Sequence, residues 1–309
     1  MNEKMIKVYK NRKIFFTISI LLIVAGIAAL FINGINVDIQ FKGGAIIKYS
    51  YNGTLDAQQK SDIEALVNKT LSRNVTLQTT DENTDNSKLV LNLAGNEGMD
   101  AQEQDALHTA IKEAYPEHNF ELSETNIVEP FIGERFLRNG IIAIVLASIL
   151  IVIYIWIRFK QISGLSAGVM AVIALLHDCA IVFSTYIIFK IPINDNFVAV
   201  MLTIIGYSIN NTIIIYDRIR ENVSISSKIP VDELMDLSIT QSMSRSIGTA
   251  FSSIAAIVII YIFAMLNSIQ SIENFALPMA VGMISGFYSS NFIACPLWVM
   301  WQKKKHTSK

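Results

Sequence analysis

Nothing among the 309 residues matches a phosphate-cradling P-loop, a glycine-rich dinucleotide fingerprint or a His-Glu-x-x-His zinc helix. No nucleophile stands beside a plausible base. These absences exclude ATP hydrolysis and the common hydrolytic chemistries, and the chain is expected to be neither an enzyme nor a cofactor carrier. Cysteine is scarce. Cys179 and Cys295 both fall inside apolar runs, which predicts buried, inert thiols rather than a disulfide framework, and no zinc-type spacing exists. What those apolar runs lack in turn is charge.

Of the residues, 52% are apolar, and the mean hydropathy is +0.42. Six runs are long enough to cross hydrocarbon as helices, at 14–33, 139–157, 164–188, 196–216, 248–266 and 276–301. No small-residue cleavage site follows the first, so it predicts a retained anchor. Positive charge collects at 1–13, after the second run at Arg158 and Lys160, between the fourth and fifth runs, and at 302–309. The short loops on the other side carry only Lys190. The positive-inside rule then predicts cytoplasmic termini and an extracytoplasmic segment at 34–138.

That segment has its own composition. Residues 35–133 hold 7 Lys/Arg against 16 Asp/Glu, a net charge of about −9. The acidity most simply keeps the segment soluble outside the membrane, and no nucleic-acid partner is expected. Ile47, Tyr49 and Tyr51 alternate with polar residues as in a strand, and Ile63, Leu66, Val67 and Leu71 recur at helical spacing. Asp100 and Glu103 form a capping box ahead of Leu107 and Ile111. Phe120 and Leu122 alternate again. A βαββαβ order in about 100 residues predicts a ferredoxin-like α+β domain between the first two of six transmembrane helices.

The polar residues inside the apolar runs are the functional candidates. His177 and Asp178 stand near the middle of the third run. A carboxylate there is costly and usually faces a bundle interior, either as a functional group or as a structural hydrogen-bonding one. Thr203, Tyr207 and Asn211 recur at four-residue steps in the fourth run, while Asn210 shares another face with Asp217. Such amides are either interhelical glue or part of a polar pathway. Ser242, Arg245, Thr249 and either Ser252 or Ser253 form a stripe leading into the fifth run, where Arg245 either snorkels outward or turns a fixed positive charge inward. Gly164/Gly168 and Gly282/Gly286 are small-residue pairs that permit close helix packing. Pro230 starts a weakly amphipathic helix, with Val231, Leu234 and Met235 on one face, expected to lie along the interface before the fifth span.

The stretch "GYSINNTIIIYDRIREN", Gly206 to Asn222, resembles the SecF pattern G-Y-S-x-N-D-T-[IV]-V-x-x-D-R-I-R-E-N. "FKGG", with Phe41, Gly43 and Gly44, resembles the D-F-x-G-G that follows the first span in that family of bacterial protein-export membrane proteins. "ALLHD" and "SMSRSIGTAFSSI" resemble its third- and fifth-span stretches, and "VEPFIGE" resembles its V-G-P-x-x-G. The matched positions in the fourth-span motif include Gly206, Tyr207, Ser208, Asp217, Arg218 and Arg220. The family belongs to the RND superfamily.

The resemblance implies a plasma-membrane subunit that pairs with SecD, assists the SecYEG channel and uses the proton motive force to promote late export of preproteins. It implies no metal. In the family the second amide position is an aspartate, taken as part of the proton path with the span-five arginine; here it is Asn211, while Arg245 remains. Gln40 and Glu129 depart from the pattern too. Coupling through position 211 is therefore expected to be absent, with Asp178 or a SecD carboxylate as its replacement. The alternatives are half of an RND-type small-molecule or lipid exporter, or a non-transporting membrane scaffold.

Overall fold

The computed structural model describes residues 5–38, 44–71, 75–80, 87–94, 99–128, 130–225, 229–267 and 269–307. They form two compact units, one of residues 1–36 with 141–309 and one of residues 37–140.

In the smaller unit the order is β1 (Gly44–Tyr51), α2 (Ala57–Leu71), β2 (Val75–Thr80), β3 (Ser87–Ala94), α3 (Ala101–Ala114) and β4 (Glu121–Val128), after α1 (Arg12–Asn33) of the other unit. The sheet order is β2-β3-β1-β4, with every neighbouring pair antiparallel. Tyr49 pairs with Leu89 and Ile47 with Leu91, so alternate residues of β1 and β3 share the core face. Ile63 and Val67 of α2 and Leu107 and Ile111 of α3 are buried against them. Each such burial contributes roughly 1.5–3 kcal/mol. Asp100 caps α3 through the Glu103 amide at 2.7 Å, and the Glu103 carboxylate accepts from the Asp100 amide in return. Leu122 departs from the expected alternation. It pairs with Tyr49 beside a register shift, on the edge strand, and stays 45% exposed. The motif residues Phe41 and Gly43 lie outside the described residues, and Gly44 opens β1.

The larger unit is helical. α4 (Pro130–Arg158) leads into α5 (Gly164–Ile188), α6 (Asp195–Ile225) and α7 (Val231–Leu266). α8 (Gln270–Ser289) continues through a π-helical segment, Ser290–Ala294, into α9 (Cys295–Thr307). Among the described residues five helices are long and apolar enough to cross a membrane: α1, the Arg138–Arg158 part of α4, α5, α6 and α7. Glycines set the close crossings. A Cβ at Gly164 would meet the Trp156 carbonyl at 2.6 Å, and one at Gly168 would meet Val152 at 3.2 Å. Gly282 admits Ile204 and Val182 in the same way.

The expected interfacial helix and the fifth span are one unbroken helix of 36 residues, roughly 54 Å at 1.5 Å per residue. Its first turns are held both by the expected apolar face, with Leu234, Met235 and Ile239 buried in the bundle core, and by hydrogen bonds. Ser238, standing where that face wants an apolar residue, is buried and accepts from Asn222 Nδ2 at 2.8 Å. Asp236 accepts from the Tyr9 amide at 3.0 Å, and Asp232 pairs with Lys303 at 2.8 Å. Both basic tails thus meet the acidic start of α7.

Candidate functional site

Asp178 is fully buried inside the helical unit. Three hydroxyls reach it. Ser208 of α6 and Ser289 of α8 each donate to Oδ2 at 2.6 Å, and Ser285 of α8 donates to Oδ1 at 2.6 Å. Ser285 and Ser289 are one turn apart and therefore share a face. His177 Nδ1 lies 3.2 Å from Oδ1, while His177 Nε2 is buried without a partner. Among the described residues no lysine or arginine pairs with the carboxylate.

An isolated buried carboxylate costs several kcal/mol, and a hydrogen bond to a charged group returns about 1.5–3 kcal/mol. Three hydroxyls can offset that cost without a cation. The cage depends on helices α6 and α8 approaching closely. A Cβ at Gly286 would sit 3.0 Å from Ser208 Cβ, so a glycine there lets Ser208 reach between α5 and α8. A second layer extends the polar seam. Ser290 of the π segment donates to the carbonyls of Ser208 (3.1 Å) and Gly286 (2.7 Å), and Thr212 Oγ1 donates to Ser290 Oγ at 2.9 Å. A π turn is a frequent companion of functional sites within helices.

The other expected residues divide. Asn211 is fully buried and neither end of its amide makes a well-formed hydrogen bond; the Tyr207 hydroxyl one turn earlier is a polar neighbour. Asn210, Arg245 and Thr249 are exposed on their helices, and no hydrogen bond or ion pair joins Arg245 to Asn211. Gly206 is exposed with open space around it. Asp217 pairs with Arg158 (3.1 Å) and Arg220 (2.7 Å), and Arg218 bonds Gln241 of α7 at 2.8 Å. These charges tie the end of α6 to α4 and α7. Ser285, Ser289, Ser290 and Thr212 were not expected. For the three serines the signal is the pair of small hydroxyls four residues apart in "MISGFYSS", around a glycine.

The fold and site define a multi-pass helical membrane protein with a hydroxyl-caged carboxylate inside its bundle. The family model described as "Protein export membrane protein SecD/SecF, C-terminal" matches residues 107–304. The protein translocase subunit SecF of Alicyclobacillus acidocaldarius is 33% identical over 294 residues, covering 94% of this chain and 91% of that protein. SecF of Acidaminococcus fermentans is 32% identical, covering 97% and 99%. The SecDF of Bacillus subtilis is 31% identical over 96% of this chain but only 38% of its own length. A crystal structure of SecDF from Thermus shares the fold, with a TM-score of 0.78 at 23% identity over 97% of this chain and 39% of that one. The chain belongs to the SecD/SecF family.

Proposed function

We propose that this chain is a SecF-type accessory subunit of the Sec protein translocase that acts with SecD on SecYEG to promote late preprotein export, with Asp178 in place of position 211 as its proton-exchanging group. The observation that carries the coupling step is the caged, fully buried carboxylate of Asp178. Such a group inside a bundle is the usual mark of an ion or proton path. Asn211, by contrast, has no proton to exchange near neutral pH.

In this reading α8 and its continuation make a sixth span, the termini are cytoplasmic and residues 34–138 form an extracytoplasmic ferredoxin-like domain. The SecDF relatives, in which the matching stretch is a minor part of a longer chain, support a SecD partner. So do Asn210, Arg245 and Thr249, polar groups exposed on apolar helices. Hydrocarbon disfavours them, and a neighbouring bundle with acceptors or a carboxylate would satisfy them. One small domain fits this role better than that of a free-standing exporter.

The test is proton flux in proteoliposomes holding the chain, its SecD, SecYEG and a translocating preprotein. Native flux that disappears in Asp178→Asn supports the reading. Undiminished flux in that variant places the exchanging group in SecD or elsewhere.

A further inference from the structure

A cavity of about 520 Å³ opens where the end of α4, the turn after it, the start of α5 and α9 meet. Its two ends differ in chemistry. Trp156 and Trp301 stand at its rim, each about half exposed, at 51% and 52%. Both close apolar runs, so both fall at the boundary between hydrocarbon and water, where tryptophan is favoured. Beside them are Lys160 and Lys305. Away from the lysines the wall is apolar, with Leu165 and Val169 exposed along α5.

The charge is unbalanced. Nearby cations are engaged, Arg158 by Asp217 and Lys303 by Asp232. Lys160 and Lys305 form no ion pair among the described residues, and no acidic residue lines the cavity. Its polar base is built rather than incidental. Gln302, 6% exposed, donates to Ser166 Oγ at 2.9 Å and accepts from Ser163 at 3.5 Å. Ser163 takes a left-handed turn at φ 59°, and the close crossing at Gly164 fixes the floor.

We infer that this cavity is a binding site for one anionic phospholipid, its phosphate between Lys160 and Lys305, its glycerol region between the two indoles and an acyl chain along Leu165 and Val169. A free anion would leave the apolar wall unused, and a neutral lipid would leave the two exposed lysines without a counter-charge. Basic pockets between membrane helices take anionic headgroups for the same reason. The inference rests on the bundle lying in a membrane but not on Asp178 or on SecD.

The chain carries three tryptophans, two of them at this rim, and their fluorescence reports occupancy. The third, Trp298, is buried and donates to the Ile162 carbonyl at 3.1 Å. The full chain is placed in nanodiscs containing brominated phosphatidylglycerol or, at the same fraction, brominated phosphatidylcholine. The expected result is preferential quenching by the anionic lipid, with an apparent preference on the order of tenfold. Lys160→Gln with Lys305→Gln should abolish the preference and leave quenching by phosphatidylcholine unchanged. Millimolar inorganic phosphate should not relieve the quenching; relief would assign the site to a free anion. Equal quenching by the two lipids in the native chain overturns the inference. So does a preference that survives in the double variant, as does a cavity filled by a protein segment in cross-linking from Lys305.

Discussion

Ser208 on α6 donates its hydroxyl to Asp178 on α5 across 2.6 Å, thirty residues away in sequence and wholly inside the helical bundle. With Ser285 and Ser289 it completes a set of three hydroxyl donors around a carboxylate that no lysine or arginine among the described residues pairs with, while His177 Nδ1 lies 3.2 Å from it. The hydroxyl donors come from two helices and the acceptor from a third, so the cage exists only while all three stay packed together.

Ser285→Ala and Ser289→Ala should each destabilise the chain by about 1–3 kcal/mol, because each leaves a buried carboxyl oxygen of Asp178 short of one of its donors. In an Asp178→Asn background the same changes should cost less, with a coupling of at least about 0.5 kcal/mol. Chemical or thermal unfolding of the native chain, the three single variants and the two double variants in one detergent measures both cycles. Additive costs would mean that the serines serve packing alone.

Gly286→Ala and Gly206→Ala should separate packing from partner contact. At Gly286 the added methyl meets Ser208 at 3.0 Å, so the helices must part and the cage loosen, lowering stability by about 1–3 kcal/mol. At Gly206 nothing lies within 4 Å, and alanine should be neutral or stabilising by up to about 1 kcal/mol through helix propensity. If a SecD bundle covers that open face, the same harmless substitution should weaken co-purification of SecD.

Much of this architecture was legible in the chain. Charge-free runs predicted the long apolar helices, and the Asp100/Glu103 spacing predicted a cap that the structure forms, because both signals are local. Asp178 stood out because a carboxylate in an apolar run is expensive wherever it points. Its cage did not stand out. Ser208, Ser285 and Ser289 are ordinary helix residues until three helices converge, and convergence depends on Gly286, whose role is visible only with its neighbour in place. Periodicity put Thr203 and Asn211 on one face of α6, yet one is exposed and the other fully buried. A shared face is not a shared depth, because neighbours cover only part of a 31-residue helix.

Tyr49 gives a pH-dependent prediction in the smaller unit. Its hydroxyl is buried without a partner, and burial pushes its pKa up to about 12 from an ordinary 10. Below pH 10 both folded and unfolded states hold the proton, and the group adds no pH dependence. Between 10 and 12 the unfolded state releases the proton while the folded state keeps it, so stability falls as pH rises, by up to about 1.4 kcal/mol per unit. Tyr49→Phe should remove that slope and leave neutral-pH stability equal or slightly higher, since the lost hydroxyl had no hydrogen bond to lose. Unfolding of the two chains followed between pH 8 and 11.5 reads both effects.

Asn211→Asp is the most informative single change. It restores the carboxylate expected from the family pattern, at a site that is fully buried. The described residues offer that site no cation: Arg245 is exposed on α7 and unpaired with position 211. An unpaired buried charge costs several kcal/mol. The isolated chain should therefore lose roughly 2–5 kcal/mol of stability at neutral pH and regain most of it in acid, where the new side chain is neutral. Assembly with SecD should restore stability at neutral pH only if the partner brings a cation, or turns Arg245, to position 211. Thermal unfolding of the variant, alone and co-purified, at pH 5 and pH 7.5 distinguishes the cases. A variant as stable as the native chain at neutral pH without SecD would mean that position 211 already has a compensating group, and that its asparagine is a matter of coupling rather than of stability.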